Sequence, residues 1–413
     1  MSLLITNIRQ LVSVREKTHL LRGKELSPLP SIESAYLIIE DDEIAEYGKM
    51  SEMQGLNRQC STVVDASNQF VLPAWCDSHT HIVFAGSREA EFVDKIRGLS
   101  YSEINAKGGG ILHSAEKLNA TTEDELFNLA WNRLEEVSKL GTGAIEIKSG
   151  YGLTVAGELK MLRVIKKLKE RSNLSIKSTF LAAHTYPLEF RENHQGYIDM
   201  IIKDMLPVIA REKLADFIDV FCEKGFFSVQ EMETICKAGM GYGLKPKLHV
   251  NQLHSIGAIQ SGIAMNALSL DHLETMNEGD VLALSNSNSI GTLLPTAAFF
   301  LRTPFQPARQ LIEANCAIAL ASDYNPGSSP SGNMNFVISI SCIQMKMLPE
   351  EAINAATING AYALELGNEL GSITAGKKAN LIFTKPISSL AYLPYSFGTN
   401  CNHRVMIKGE FIS

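Results

Sequence analysis

Apolar and polar positions along this chain follow two rhythms. Eight short β-rich apolar segments, at roughly 70–78, 143–148, 175–184, 217–223, 247–252, 268–272, 289–294 and 318–323, are separated by stretches with a helical repeat. Strands alternating with helices predict an α/β fold with a parallel sheet, and eight such units predict a (β/α)8 barrel. The intervening stretches carry helix signals of their own. Thr122, followed by Glu123-Asp124-Glu125, opens a helix expected to run through Leu140 and to stop at Gly141. Between Glu158 and Glu170, Leu159, Met161, Leu162, Val164, Ile165 and Leu168 oppose Lys160, Lys166, Lys167 and Lys169. That is the pattern of a helix covering a barrel, with the lysines as its solvated face.

The two ends of the chain read differently. Leu3–Ile8, Ala35–Ile39, Ile44–Tyr47 and Thr62–Asp65 are short strand patterns broken by turns such as Asp41-Asp42-Glu43. Residues 371–413 repeat the style, with Ala379–Phe383 and Arg404–Ile412 as strands and Lys408-Gly409 as a hairpin turn. Neither end has enough strands to bury a face alone, so the two are expected to pair. The expected organisation is a composite β-sandwich of 1–70 and 371–413, with a barrel of 71–370 inserted.

Composition narrows the setting. The chain has 413 residues, 45% of them hydrophobic and 20% charged, which suits a large soluble core. A formal net charge of −7 offers no basic footprint for nucleic acid or an anionic membrane. No run of about 18 apolar residues occurs, and the N-terminal MSLLITNIRQLVSVREK lacks a cleavage pattern, so a cytoplasmic protein is expected. Seven cysteines without C-x-x-C pairs point to reduced, buried thiols rather than disulfides or a thiolate metal site. Met334, Met345 and Met347 are read as packing residues.

The ends of the eight predicted strands are unusually polar: His79 and His81, Lys148, His184, Glu223, His249, His272 and Asp323. Two histidines at i and i+2 on an extended segment project to the same side, so both imidazoles can reach one metal ion. Alone, the His79-Thr80-His81 element is weak evidence, since a surface strand can carry two exposed histidines for no chemical reason. In a barrel, however, strand C-termini converge on one mouth. Three neutral nitrogens from His79, His81 and His249 with the Asp323 carboxylate make a first shell for zinc or iron, with room for a water.

Longer motifs carry a resemblance. Leu72-Pro73, Asp77-Ser78-His79-Thr80-His81, Val83-Phe84-Ala85-Gly86-Ser87-Arg88-Glu89, Gly108-Gly109-Gly110-Ile111 and Glu146-Ile147-Lys148-Ser149-Gly150-Tyr151-Gly152-Leu153 lie in the first half. Ala183-His184, Asp219-Val220-Phe221-Cys222-Glu223, Asp271-His272-Leu273 and Asp323-Tyr324-Asn325-Pro326-Gly327-Ser328-Ser329-Pro330 follow. Together they resemble the amidohydrolase superfamily and, within it, the imidazolonepropionases, metal-dependent hydrolases of histidine degradation. One departure is visible: where many relatives read His-Ala-Asp-Glu or His-Ala-Asp-Gln, this chain has His249-Val250-Asn251-Gln252. A carboxylate base at 252 is therefore not expected, and Gln252 is read as orienting the substrate.

The resemblance implies hydrolysis of 4-imidazolone-5-propanoate to N-formimino-L-glutamate, one bound divalent or trivalent metal, and a homodimer. Arg88 would meet the anionic propionate tail, with Tyr151 as a hydroxyl donor and with Asn325, Gly327 and Ser328 at the same site, the last two through backbone N–H groups. A structural salt bridge of Arg88 with Glu89 or Asp94, and a core role for Tyr151, stay open. Asp323 would carry the proton, His272 would act at the reaction centre, and His184 would bind substrate. Some amidohydrolases bridge two metals through a carboxylated barrel lysine, but from another strand than that of Lys148, so a single metal is expected. A deaminase of an aminated heterocycle and an inactive scaffold are the alternatives, the second disfavoured by the intact ligand set.

Overall fold

The computed structural model describes residues 2–55, 60–99, 103 and 109–412; Gly108 of the glycine run falls outside them. An eight-stranded parallel barrel sheet and a separate sheet formed by both chain ends are present. The terminal sheet contains β1 (Ser2–Val12), β2 (Ser31–Glu40), β3 (Glu43–Lys49), β4 (Thr62–Asp65) and β5 (Phe70–Pro73). After the barrel come β14 (Leu381–Thr384), β15 (Asn402–Ile407) and β16 (Glu410–Phe411). Hydrogen bonding joins them in the order β16-β15-β14-β5-β1-β2-β3, with β4 beside the first half of β1. Ile5, Leu11, Leu37, Phe383 and Met406 from both ends bury one shared core. Lys408 and Gly409 have φ of 50° and 78°, the two positive values a type I′ hairpin turn requires.

The barrel strands are β6 (Trp75–Asp77), β7 (Thr142–Lys148), β8 (Ser175–Ala183), β9 (Phe217–Cys222), β10 (Lys245–Val250), β11 (Ser269–His272), β12 (Ile290–Leu293) and β13 (Ile318–Leu320). Each pairs in parallel with the next. The expected strand at 70–78 is in fact two. Phe70–Pro73 pairs with β1 and β14 in the terminal sheet, and Trp75–Asp77 pairs with β7 in the barrel. Pro73 has no N–H with which to continue a ladder, and the chain changes sheets at Ala74.

Period-two alternation sorts the barrel side chains. Ile145, Ile147, Ile218, Val220, Leu248, Val250 and Leu270 face the covering helices and join the main apolar core, each such burial contributing about 1.5–3 kcal/mol. The alternate positions Glu146, Lys148, Asp219, Lys247, His249 and Asp271 are also buried, but contact one another rather than that core. The helix over Glu123–Lys139 starts at its expected cap, Thr122, whose hydroxyl accepts from the Glu125 N–H.

No ladder joins β13 to β6. Past their ends, the Asp323 N–H donates to the His79 carbonyl at 3.0 Å and the His81 N–H to the Tyr324 carbonyl at 2.9 Å. The Asp77 carboxylate adds bonds from the Ser322 N–H (2.9 Å) and hydroxyl (2.6 Å). The seam is therefore closed by the segments that carry the candidate ligands.

Candidate metal centre

His79, His81 and His249 bring their ligating atoms within 4.8 Å of one another, the one such group of histidine, cysteine or acidic residues among the described residues. The Asp323 Oδ1 faces the same point, 3.5 Å from His79 Nε2 and 3.6 Å from His81 Nε2. His79 donates through Nδ1 to Asp271 Oδ2, and His249 through Nδ1 to Asp219 Oδ2, each at 2.7 Å. A carboxylate only accepts, so both rings carry their proton on Nδ1 and present a lone pair at Nε2. Those two Nε2 atoms lie 3.1 Å apart. Two acceptors at that distance repel, and a cation between them removes the conflict. Burial, then neighbouring cationic charge, holds all three histidines well below the ordinary imidazole value, which keeps them neutral as metal ligands must be. The donor set thus fits a divalent metal.

Beneath the ligands lies a buried ionic cluster. Lys148 Nζ is 2.8 Å from Glu146 Oε1, 2.9 Å from Asp219 Oδ2 and 3.6 Å from Asp271 Oδ2. Burial works against its ammonium, but the three carboxylates outweigh burial and hold the pKa above that of an ordinary lysine.

Around the mouth, a cavity of about 60 Å³ is lined by Tyr151, His184, Gln252, His272, Asn325 and Ser328 as well as by ligands. Phe221 lines it too, a residue the sequence motifs contained but that received no role. Burial pushes the Asp323 carboxyl up to about 6, while His272 and bonds from Ser328 and Asn325 draw it back. Burial would lower His272, but Glu274 at 3.2 Å from its Nδ1 lifts it above the ordinary value. Backbone φ values of 87° at His272 and 53° at Asp323 are uncommon for these residue types and aim both side chains inward from strand ends.

The Asn325-Pro326-Gly327-Ser328 turn differs from expectation in its detail. Both backbone N–H groups assigned to substrate, those of Gly327 and Ser328, donate to Asn325 Oδ1 at 2.8 Å. An Asx-type turn satisfies them locally, so they are not offered to a ligand. The Ser328 hydroxyl instead donates to Asp323 Oδ2 at 3.0 Å. Gly327 provides room, since a Cβ there would lie 2.4 Å from Arg88 Nη1.

Arg88 does form an ion pair, with neither of the partners considered from sequence. Its Nε and Nη2 donate to Glu91 Oε1 and Oε2 at 2.9 and 2.6 Å, one helical turn on. Glu91 also accepts the Gly110 N–H at 2.9 Å. The side-on fork is therefore engaged, leaving the end-on edge, with Nη1, toward Gly327. Tyr151 is buried, 6.0 Å between ring centroids from His81 and 5.5 Å from His184. Its loop is held by Glu158, a residue assigned no role at the site from sequence, whose carboxylate accepts the N–H groups of Gly150, Gly152 and Leu153 at 3.1, 2.7 and 3.0 Å. Gly150, at φ 113°, leaves space for the His184 ring, which bonds its carbonyl at 3.2 Å. Burial pushes the His184 imidazole down to about 4, so it is neutral.

The fold is an eight-stranded parallel barrel with a buried group of three histidines at its mouth, and residues 143–412 match the model of the amidohydrolase family. The chain is 58% identical over 410 residues to the imidazolonepropionase of Flavobacterium johnsoniae, covering 99% of each. It is 52% identical over 413 residues to that of Christiangramia forsetii, covering 100% of each, and 40% over 391 residues to that of Clostridium tetani, covering 94% and 93%. The chain belongs to the amidohydrolase family, among its imidazolonepropionases. The same fold is seen in Escherichia coli guanine deaminase (TM-score 0.74, 14% identity, 100% and 99% covered) and in an adenosine deaminase from Xanthomonas campestris with bound zinc (0.71, 14%, 99% and 92%).

Proposed function

We propose that this protein hydrolyses 4-imidazolone-5-propanoate to N-formimino-L-glutamate. The observation that carries this reading is the likeness of the whole chain to imidazolonepropionases at 52–58% identity. The geometry supports it: Arg88, anchored by Glu91, stands beside the Asn325–Ser328 turn that lines the metal centre, where an anionic tail is to be received.

His79, His81, His249 and Asp323 would hold one metal ion, zinc or iron. When bound, such an ion supplies Lewis acidity and lowers the pKa of water from ~15.7 toward ~7. Water adds to the ring carbonyl carbon, and the ring carbon–nitrogen bond then breaks. Asp323 accepts the water proton on its carboxylate and returns it to the departing nitrogen, a role its pKa of about 6 suits. His272, lifted by Glu274, donates to the oxygen that gains charge. Neutral His184, Tyr151 and Gln252 orient the ring, and Arg88 pairs with the propionate end-on. A second metal bridged by carboxylated Lys148 is disfavoured, because a carbamate would place a fourth anion among Glu146, Asp219 and Asp271.

We place the protein in the cytoplasm as a homodimer. The described cysteines are all free, in keeping with a reducing compartment, and no helix among the described residues is long and apolar enough to cross a membrane. The test is to add imidazolonepropionate to purified protein and follow its ultraviolet absorbance, with metal analysis on the same sample. Loss of absorbance with formation of N-formimino-L-glutamate is expected. An unchanged spectrum, with ammonia released from an aminated heterocycle, would replace this reading with a deaminase.

A further inference from the structure

Lys148 has no exposed surface and does not line the cavity, so it cannot touch a substrate. Its contacts point elsewhere. The oxygen of Asp219 that it meets, Oδ2, is the one that accepts from His249 Nδ1, and the oxygen of Asp271 that it faces, Oδ2, is the one that accepts from His79 Nδ1. One ammonium thus sits behind two ligand histidines that are 170 residues apart in sequence. Its backbone reaches the same segment, because the Lys148 N–H donates to the Thr80 carbonyl at 2.9 Å, between His79 and His81. His81 lacks this support, and its Nδ1 is buried with no hydrogen-bond partner.

We propose that Lys148 is a positioning residue for metal binding: it holds the Asp219 and Asp271 carboxylates together so that each fixes one ligand histidine in the Nδ1–H form with Nε2 free. Without the ammonium, the two carboxylates repel across a buried interior, and one of them shifts or turns away from its histidine. Either change frees an Nδ1 and lets the proton move to Nε2, which removes the lone pair a metal requires. Lys247 also lends Asp271 favourable charge, but it forms an ion pair with neither Asp219 nor Asp271 and so does not bridge them. It lies 3.2 Å from Glu146 Oε2 and is otherwise bonded to the Ser269 hydroxyl and the Ala363 carbonyl, both at 3.0 Å.

This inference rests on the metal site proposed above, and the experiment separates the two. Full-length apoprotein is titrated with zinc against a competing chelator in wild type, Lys148→Met and the double variant Lys148→Met/Glu146→Gln, with thermal unfolding of each apo form. The double variant removes one charge of each sign, so it remains informative where the single variant leaves too many uncompensated carboxylates to fold. Histidine-labelled protein observed by 15N NMR reports the tautomers directly. Expected is a loss of about 10–100-fold in zinc affinity in the folded variants, with the Nδ1–H signals of His79 or His249 lost. A lower melting temperature with wild-type zinc affinity and unchanged tautomers would overturn the proposal and leave Lys148 as scaffold alone. Wild-type protein that binds no zinc, iron or other divalent ion would instead overturn the metal site itself.

Discussion

The Nε2 atoms of His79 and His249 lie 3.1 Å apart, and each ring is bonded at Nδ1 to a different buried carboxylate. Neither nitrogen can donate to the other, so the pair is arranged for a cation. Both rings are buried, which takes them out of bulk solvent and raises the worth of each electrostatic contact there. Yet they sit at strand ends rather than in the apolar layer between strands and helices, so the ligands and the fold are separable.

That separation gives the first prediction. His249→Ala should lose most bound metal and all measurable turnover while remaining folded, because Leu248 and Val250, its neighbours on β10, carry the packing. Metal analysis and circular dichroism on one sample check it. Full metal occupancy in the variant would remove His249 from the ligand set.

Arg88→Lys should be a poor replacement, because a lysine can satisfy neither the two-point contact with Glu91 nor a planar carboxylate. A loss of about ten- to a hundred-fold in kcat/KM is expected, with metal content unchanged. On an imidazolone lacking the propionate tail, the variant and wild type should be nearly equal. A penalty as large on that substrate would make Arg88 structural.

Glu158→Gln tests the support under Tyr151. An amide cannot accept from three N–H groups in this geometry without pointing its own N–H at one of them. A stability loss of about 1–3 kcal/mol is expected in urea denaturation, together with a raised KM. Unchanged values of both would show that the loop holds itself.

What the sequence revealed and what it hid follow from range. The polar strand ends were readable because strand alternation and barrel topology are local rules, and they bring His79, His81, His249 and Asp323 to one point. The break at Pro73 was missed: an unbroken apolar run reads as one strand, and only the pairing of Phe70–Pro73 with the terminal sheet and of Trp75–Asp77 with the barrel separates the two. Arg88 was harder. Glu89, Glu91 and Asp94 are all within reach along the chain, and only the helix geometry from Glu89 to Ile96 selects the residue three positions on. The His79–Asp271 pair spans 192 residues, and Lys148 meets Asp219 across 71, so no local pattern announces either contact. Asn325 illustrates a third case. Its motif marked the site, but whether the Gly327 and Ser328 N–H groups face a ligand or the turn's own side chain depends on one side-chain torsion.

Asp323→Asn keeps the shape and one coordinating oxygen but cannot take up a proton. Turnover should fall at least ~10²-fold while substrate and some metal still bind. Gln252→Ala is the control, since an orienting amide should affect KM more than kcat. Near-normal turnover in Asp323→Asn with an inactive Gln252→Ala would move the proton route to Gln252 and its neighbours.

The final prediction concerns how metal affinity depends on pH. In the apoprotein Asp323 is pushed up to about 6, whereas the three ligand histidines sit well below the ordinary imidazole value. The proton that competes with a cation in mild acid is therefore on the carboxylate. Below about pH 6 the cation must displace that proton, so affinity should fall about tenfold per pH unit, and above it affinity should be nearly flat. Zinc titrations against a chelator from about pH 5 to about pH 8 give the slope. Asp323→Asn, which has no proton to lose, should bind more weakly at neutral pH but with the acid dependence abolished. A slope of about two or three in wild type would mean that histidine protons are displaced as well, and the neutral imidazoles assigned to the apoprotein would then be wrong.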